Sequence, residues 1–149
     1  SLAKETQEKV LQLVLQEKAD EALNYVKDLV KELRSGKIAL SKLILKTQIT
    51  REISGYSSVA PHVKVAQEMR ESGLPVEPGT IISFVIVKGT GLVRERARMP
   101  SDVGEGEYDP EYYVLHQLIP AVSSIFSVLG YSEDGLFKES SQTGLGKYF

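Results

Sequence analysis

Two stretches at the start of the chain repeat apolar residues with the period of a helix. Between Leu2 and Gln16, Val10, Leu11, Val14 and Leu15 fall on one face. After a short break, Ala19, Ala22, Leu23, Val26, Leu29, Val30 and Leu33 recur at intervals of three and four. Arg34 suits the negative end of this second helix, and Gly36 supplies a left-handed stop. Residues 1–35 therefore predict a helical hairpin whose stripes form core. Its opposite faces carry Lys4, Lys9, Lys18, Lys27 and Lys31 interleaved with acids.

Beyond Gly36 the pattern changes. A short apolar run, Leu43 to Leu45, leads into a polar stretch with Lys46, Thr47, Gln48, Thr50 and Arg51, followed by the small residues Gly55, Ser57, Ser58 and Ala60. Short donors on an irregular loop beside a helix start can approach a phosphate closely, although the same composition also makes an ordinary surface loop. Pro61 suits the first turn of a third helix, with Val63, Ala66 and Met69 inward and Ser72-Gly73 as its end. His62 and Lys64 stand at its positive dipole end.

Pro75, Pro78 and Gly79 mark a break, and Thr80 to Val87 reads as the one strong strand, β-branched and nearly continuous. The turn Lys88-Gly89-Thr90-Gly91 lacks the Lys-Ser/Thr pair and helix start of a nucleotide loop. Arg94, Arg96 and Arg98 alternate, so an extended segment would place three guanidinium groups on one side. Asp102 to Glu107 is expected to be a mobile acidic loop. Asp109-Pro110-Glu111 predicts a helix start, with Tyr112, Leu115, Ile119, Val122, Ile125, Phe126 and Leu129 as its apolar face and a kink at Pro120. A short turn or helical piece is expected over Tyr131 to Phe137, then an unpacked tail.

Charge adds a division that the total of −2 conceals. Residues 1–35 carry six Lys/Arg against seven Asp/Glu, residues 36–100 ten against five, and residues 101–149 two against eight. A basic middle third is what phosphate contacts require, though a solvated mixed surface has the same composition. The 149 residues, 42% of them hydrophobic, suffice for one domain or two small lobes. No apolar run approaches the roughly 18 residues of a membrane span, so no membrane partner is expected and a cytoplasmic location is. With no cysteine and only His62 and His116 as imidazoles, thiolate chemistry is excluded and no metal set is read.

Several stretches together resemble one family. Lys-Thr-Gln-Ile-Thr-Arg-Glu (46–52), Ala-Pro-His-Val-Lys-Val-Ala (60–66), Pro-Gly-Thr-Ile-Ile-Ser-Phe-Val-Ile-Val-Lys-Gly (78–89) and Tyr-Asp-Pro-Glu-Tyr-Tyr (108–113) are similar to the thumb domain of archaeal family B DNA polymerases. Gln-Leu-Ile-Pro-Ala-Val (117–122) and Ala-Lys-Glu-Thr-Gln (3–7) extend the resemblance nearly end to end. It implies an α+β, mainly helical thumb over residues 1–139, with the helical hairpin at 1–35 and a DNA-gripping lobe with a small β element at 36–139. Such a thumb closes over the minor-groove side of a primer–template duplex. By position, Gln48, Thr50 and Arg51 would contact the duplex backbone, aided by Ser57, Ser58, His62 and Lys64, with Arg94 and Arg96 on nearby phosphates. Relatives often have lysine at Ser54 and Ser57, glycine at Ala60, arginine at Leu92 and asparagine at His116, so a shallower salt dependence is expected.

The resemblance also implies what this chain leaves to others. Family B polymerases use metal-bound aspartates on a palm sheet, and no paired-aspartate strand, finger helix or exonuclease acid set is found here. Asp109 with Glu111, and Glu133 with Asp134, read as helix-start and turn residues. No catalytic residue is assigned, and Mg²⁺ is expected on the palm of an exonuclease/palm/fingers polypeptide. The chain is expected to be a cleaved fragment or the small subunit of a split polymerase, and Ser1 in place of Met is read as trimming.

Residues 140–149 carry a second motif. Gln142, Leu145, Tyr148 and Phe149 fit the Gln-x-x-aliphatic-x-x-aromatic-aromatic box that binds a sliding clamp. One helical turn brings Leu145, Tyr148 and Phe149 to the same side, while Gln142 hydrogen-bonds beside them. The expected location is thus nucleoid-associated. The rival reading is a stand-alone DNA-binding or clamp-associated adaptor without a catalytic partner.

Overall fold

The computed structural model describes residues 1–57 and 59–131. The described residues form two compact units, one from Ser1–Ile38 with 110–131, the other from Ala39–Asp109. The described residues are mainly helical, with one small three-stranded antiparallel sheet.

In the first unit, α1 (Leu2–Leu15) and α2 (Ala19–Arg34) form the expected hairpin. Ser1 caps α1 by accepting from the Lys4 amide. The stop at α2 is a Schellman motif: the Lys37 amide donates to Glu32 O and the Gly36 amide to Leu33 O, both at 3.1 Å, with Gly36 at φ 77°. The buried face of α1 is not the expected one. Leu2, Thr6, Val10 and Leu13 are inside, while Leu11 and Leu15 are 45% and 75% exposed. Thr6 makes this stripe possible by donating its hydroxyl to Leu2 O at 2.7 Å, which satisfies the polar group within the helix.

The C-terminal helix of this unit begins as expected, with Pro110 at the start of α4 (Pro110–Tyr113). A five-residue π-helical stretch, Val114–Leu118, then joins it to α5 (Ile119–Val128). Pro120 thus lies in the first turn of α5, where a missing N–H costs little, and the wide turn absorbs the distortion expected of a kink. The extra residue per turn also rotates the apolar face. Tyr113, Val114 and Leu118 are buried with Ile119, Val122 and Phe126, whereas Tyr112 and Leu115 are half-buried and Leu129 is exposed. Arg34 Nε at 2.9 Å and a second guanidinium nitrogen at 3.3 Å grip both oxygens of Glu111, fixing the end of α2 to the start of α4.

In the second unit, β2 (Ile81–Ile86) is the central strand, with β1 (Leu45–Gln48) on one side and β3 (Ala97–Arg98) on the other. The helix α3 (Pro61–Glu71) packs against β2 and β3. Val63, Val65, Ala66, Ile82, Phe84, Ile86 and Ala97 are buried. The segment Asp102–Glu107 is pinned rather than loose. Glu105 accepts from the Leu40 amide at 2.9 Å, Glu107 accepts from the Gly104 amide at 2.5 Å, and the Lys88 amide donates to Glu107 O at 3.1 Å. No described helix is long and apolar enough to cross a membrane.

Candidate nucleic-acid interface

The antiparallel ladder runs past the end of β1. Ile49, fully buried, donates to Thr80 O at 2.8 Å and accepts from Gly79 at 2.6 Å, a turn that places Gly79 at φ 99°. This anchor sends Gln48, Thr50 and Arg51 to the surface, and all three are exposed. Gln48 donates its amide to Gly79 O at 3.2 Å, which fixes its side chain along the turn. Ile53 then buries itself through a 3₁₀ turn, Ile53–Gly55, and brings Tyr56 back toward the loop's start.

Tyr56 is the residue that sequence reading missed. Its hydroxyl oxygen accepts from the Thr50 amide at 3.0 Å, and its ring lies 5.2 Å from the Arg51 guanidinium carbon. Such a cation–π contact is weak at an exposed site but orients the guanidinium. The Thr50 hydroxyl and amide, aided by the Arg51 charge, hold the Tyr56 phenol below its ordinary pKa. Arg51 is therefore presented with part of its rotamer freedom already spent. His62 meets Tyr56 edge to face, with ring centres 6.0 Å apart, and Ser57 is exposed in the same loop.

Burial lowers the His62 pKa below its ordinary 6.5. Between the folded and unfolded values the unfolded chain binds more protons, so stability rises with pH there. The contribution of neutral His62 is complete above about pH 6.5 and lost as pH falls through the lower folded value. We expect thermal unfolding of His62→Gln to lack this acid-side decline relative to the parent. Parallel pH profiles for the two proteins would contradict it.

Other expected cations have structural roles. Lys64 donates to Glu95 O at 3.1 Å and Ala97 O at 3.0 Å and pairs with Glu68 at 3.2 Å, tying α3 to β3 and the turn before it. The three alternating arginines do not share one side, because Val93–Arg96 is a 3₁₀ turn. Of the three, Arg94 alone is exposed. Arg96 is inside, donating to Asp109 at 2.5 Å and to Val87 O at 3.1 Å, and Arg98 donates to Glu95 O and Ala97 O.

The net charge is altered in the same way. Residues 39–109 fold as a unit holding nine Lys/Arg and nine Asp/Glu, since the acids after Asp102 close on the basic stretch. The exposed cations of this unit include Lys46 and Arg51 beside the loop and Arg94. A cleft of about 350 Å³ lined by Val87, Lys88, Arg98, Asp102, Gly106 and Glu107 mixes both signs and is no dedicated anion pocket. Among the described residues no three His, Cys, Asp or Glu side chains are grouped to hold a metal. Ser58 and the motif residues Gln142, Leu145, Tyr148 and Phe149 lie outside the described residues.

Residues 1–129 match the sequence model of DNA polymerase family B. The chain is 39% identical over 148 residues to the DNA polymerase of Thermococcus aggregans, covering 97% of this chain and 8% of that protein. It is 37% identical over 150 residues to the DNA polymerase of Methanocaldococcus jannaschii, covering 100% of this chain and 9% of that protein. The solved family B DNA polymerase from the hyperthermophilic archaeon Pyrobaculum calidifontis is similar with a TM-score of 0.78 and 37% identity, over 89% of this chain and 18% of that one. The chain thus spans between 8% and 20% of the length of such curated relatives.

Proposed function

The chain belongs to DNA polymerase family B, and from that premise we propose that it is the thumb part of such a polymerase, holding the primer–template duplex during DNA synthesis. The family is one of nucleotidyltransferases, and this chain's share is to grip rather than to react. Its carboxylates support the assignment: Asp109 holds Arg96, Glu111 holds Arg34, and Glu105 holds the Leu40 amide. The catalytic acids and Mg²⁺ then belong to the palm of an exonuclease/palm/fingers polypeptide.

One observation carries the reading: Arg51, braced on Tyr56, stands exposed with Gln48 and Thr50 on a loop anchored by buried Ile49. Fixed cations and short donors of this kind suit phosphate and sugar contacts, which position a duplex without reading its sequence. Ser57, Ser58 and His62 border the same loop in sequence, and Arg94 offers a further exposed cation. Lys64 and Arg96 support the grip by holding the surrounding segments. The box at 142–149 adds a tether to the sliding clamp, which would keep the enzyme on DNA.

Reconstitution tests this reading against a stand-alone adaptor. Added to a family B catalytic polypeptide that lacks this region, the chain is expected to co-purify with it and to lengthen the DNA made per binding event. An adaptor would emerge from cells without a large polymerase chain and leave synthesis unchanged.

A further inference from the structure

The register of β1 on β2 places Lys46 opposite Ser83 and Gln48 opposite Ile81, and opposed residues of an antiparallel pair share a face. The alternate row contains buried Ile82 and Phe84, and the first row is the outer one at this end of the sheet, before it reaches buried Val85. Lys46 and Gln48 are exposed, Ser83 is half-buried, and Ile81 is 60% exposed. Isolated surface isoleucines are ordinary. This one lies in register with Gln48, between Lys46 and the Thr50–Arg51 loop, beside the polar side chains of Lys46, Gln48 and Ser83 and with no acid among them. Nearby Glu52 is held toward Arg70 at 3.7 Å.

Resting on the thumb reading above, we propose that Ile81 is a specificity-determining residue that favours a duplex with 2′-deoxy sugars. A DNA duplex complements this row: Lys46 and Arg51 match its phosphates, and Gln48 and Ser83 its sugar and base-edge acceptors. With those contacts made, Ile81 is pressed against the sugar edge where the 2′ position lies. A methylene there is an apolar partner for the isoleucine. A 2′-hydroxyl in its place loses water and gains no hydrogen bond, which penalises an RNA-containing strand.

The test compares the full chain with Ile81→Ser and Ile81→Val, measuring affinity for one DNA duplex and for the same sequence with either strand replaced by RNA. Exposure of Ile81 makes both variants compatible with folding, which thermal unfolding checks. The parent and Ile81→Val are expected to prefer the all-DNA duplex, and Ile81→Ser to shrink that preference about fivefold for at least one hybrid. An unchanged preference in Ile81→Ser, or an equal loss on DNA and hybrid, overturns the inference while leaving the thumb reading intact. A parent chain that binds none of the duplexes overturns both.

Discussion

Arg96→Ala is expected to lower the free energy of unfolding by about 3 kcal/mol, the range for removing one partner of a largely buried ion pair. The side chains of Arg96 and Asp109 are 13% and 14% exposed, and the guanidinium also donates to Val87 O. Alanine removes both bonds and leaves the carboxylate in a poorly solvated place without its cation. The pair itself is imperfect, because Arg96 Nε is buried with no partner among the described residues. Arg96→Met combined with Asp109→Leu should therefore cost less than the single change. Denaturant titration measures both, and a loss below about 1 kcal/mol for Arg96→Ala would show that the pair is not a structural anchor. Weakened DNA binding by this variant would follow from lost structure.

Tyr148→Ala with Phe149→Ala is expected to weaken sliding-clamp binding by a hundredfold or more, since two aromatic anchors of an interface each contribute about 2 kcal/mol or more. Duplex affinity should stay at the parent level, because the proposed DNA-contacting loop and the box are separated in sequence by more than the whole of α5. Gln142→Ala should have a smaller effect, removing a hydrogen bond at the edge of the apolar anchor. Surface-bound clamp titrated with the parent and variant chains gives the comparison. Clamp affinity retained by the double variant would remove the tether from the account.

Helix ends are the most legible features of the sequence. Gly36 and Pro61 mark local backbone requirements, and both act where their residue types predict. What periodicity does not show is compensation between residues. Thr6 is polar by type but internally bonded, so α1 turns a different face inward than a count of Val and Leu implies. The π-helical stretch similarly rotates the face expected around Pro120. β1 and β3 are hidden because a strand with one exposed row, or of two residues, carries little pattern of its own.

At the candidate interface, Gln48, Thr50 and Arg51 are legible as a loop of donors and are exposed together. The roles of Lys64 and Arg96 are not legible, because sequence does not reveal which carbonyls and acids a cation will meet after folding. The basic middle third gives up its net charge for the same reason, as Glu105, Glu107 and Asp109 fold onto it. Tyr56 could be found only by asking what braces Arg51 five residues earlier.

The most direct test of the grip is the salt dependence of binding to a labelled DNA duplex, measured by fluorescence anisotropy for the full chain and for Arg51→Ala. Arg51→Ala is expected to bind more weakly on every sequence alike, with a plot of log affinity against log salt shallower by about 0.9 for each phosphate that the variant no longer neutralises. Equal affinity and equal slope for the two proteins would contradict it.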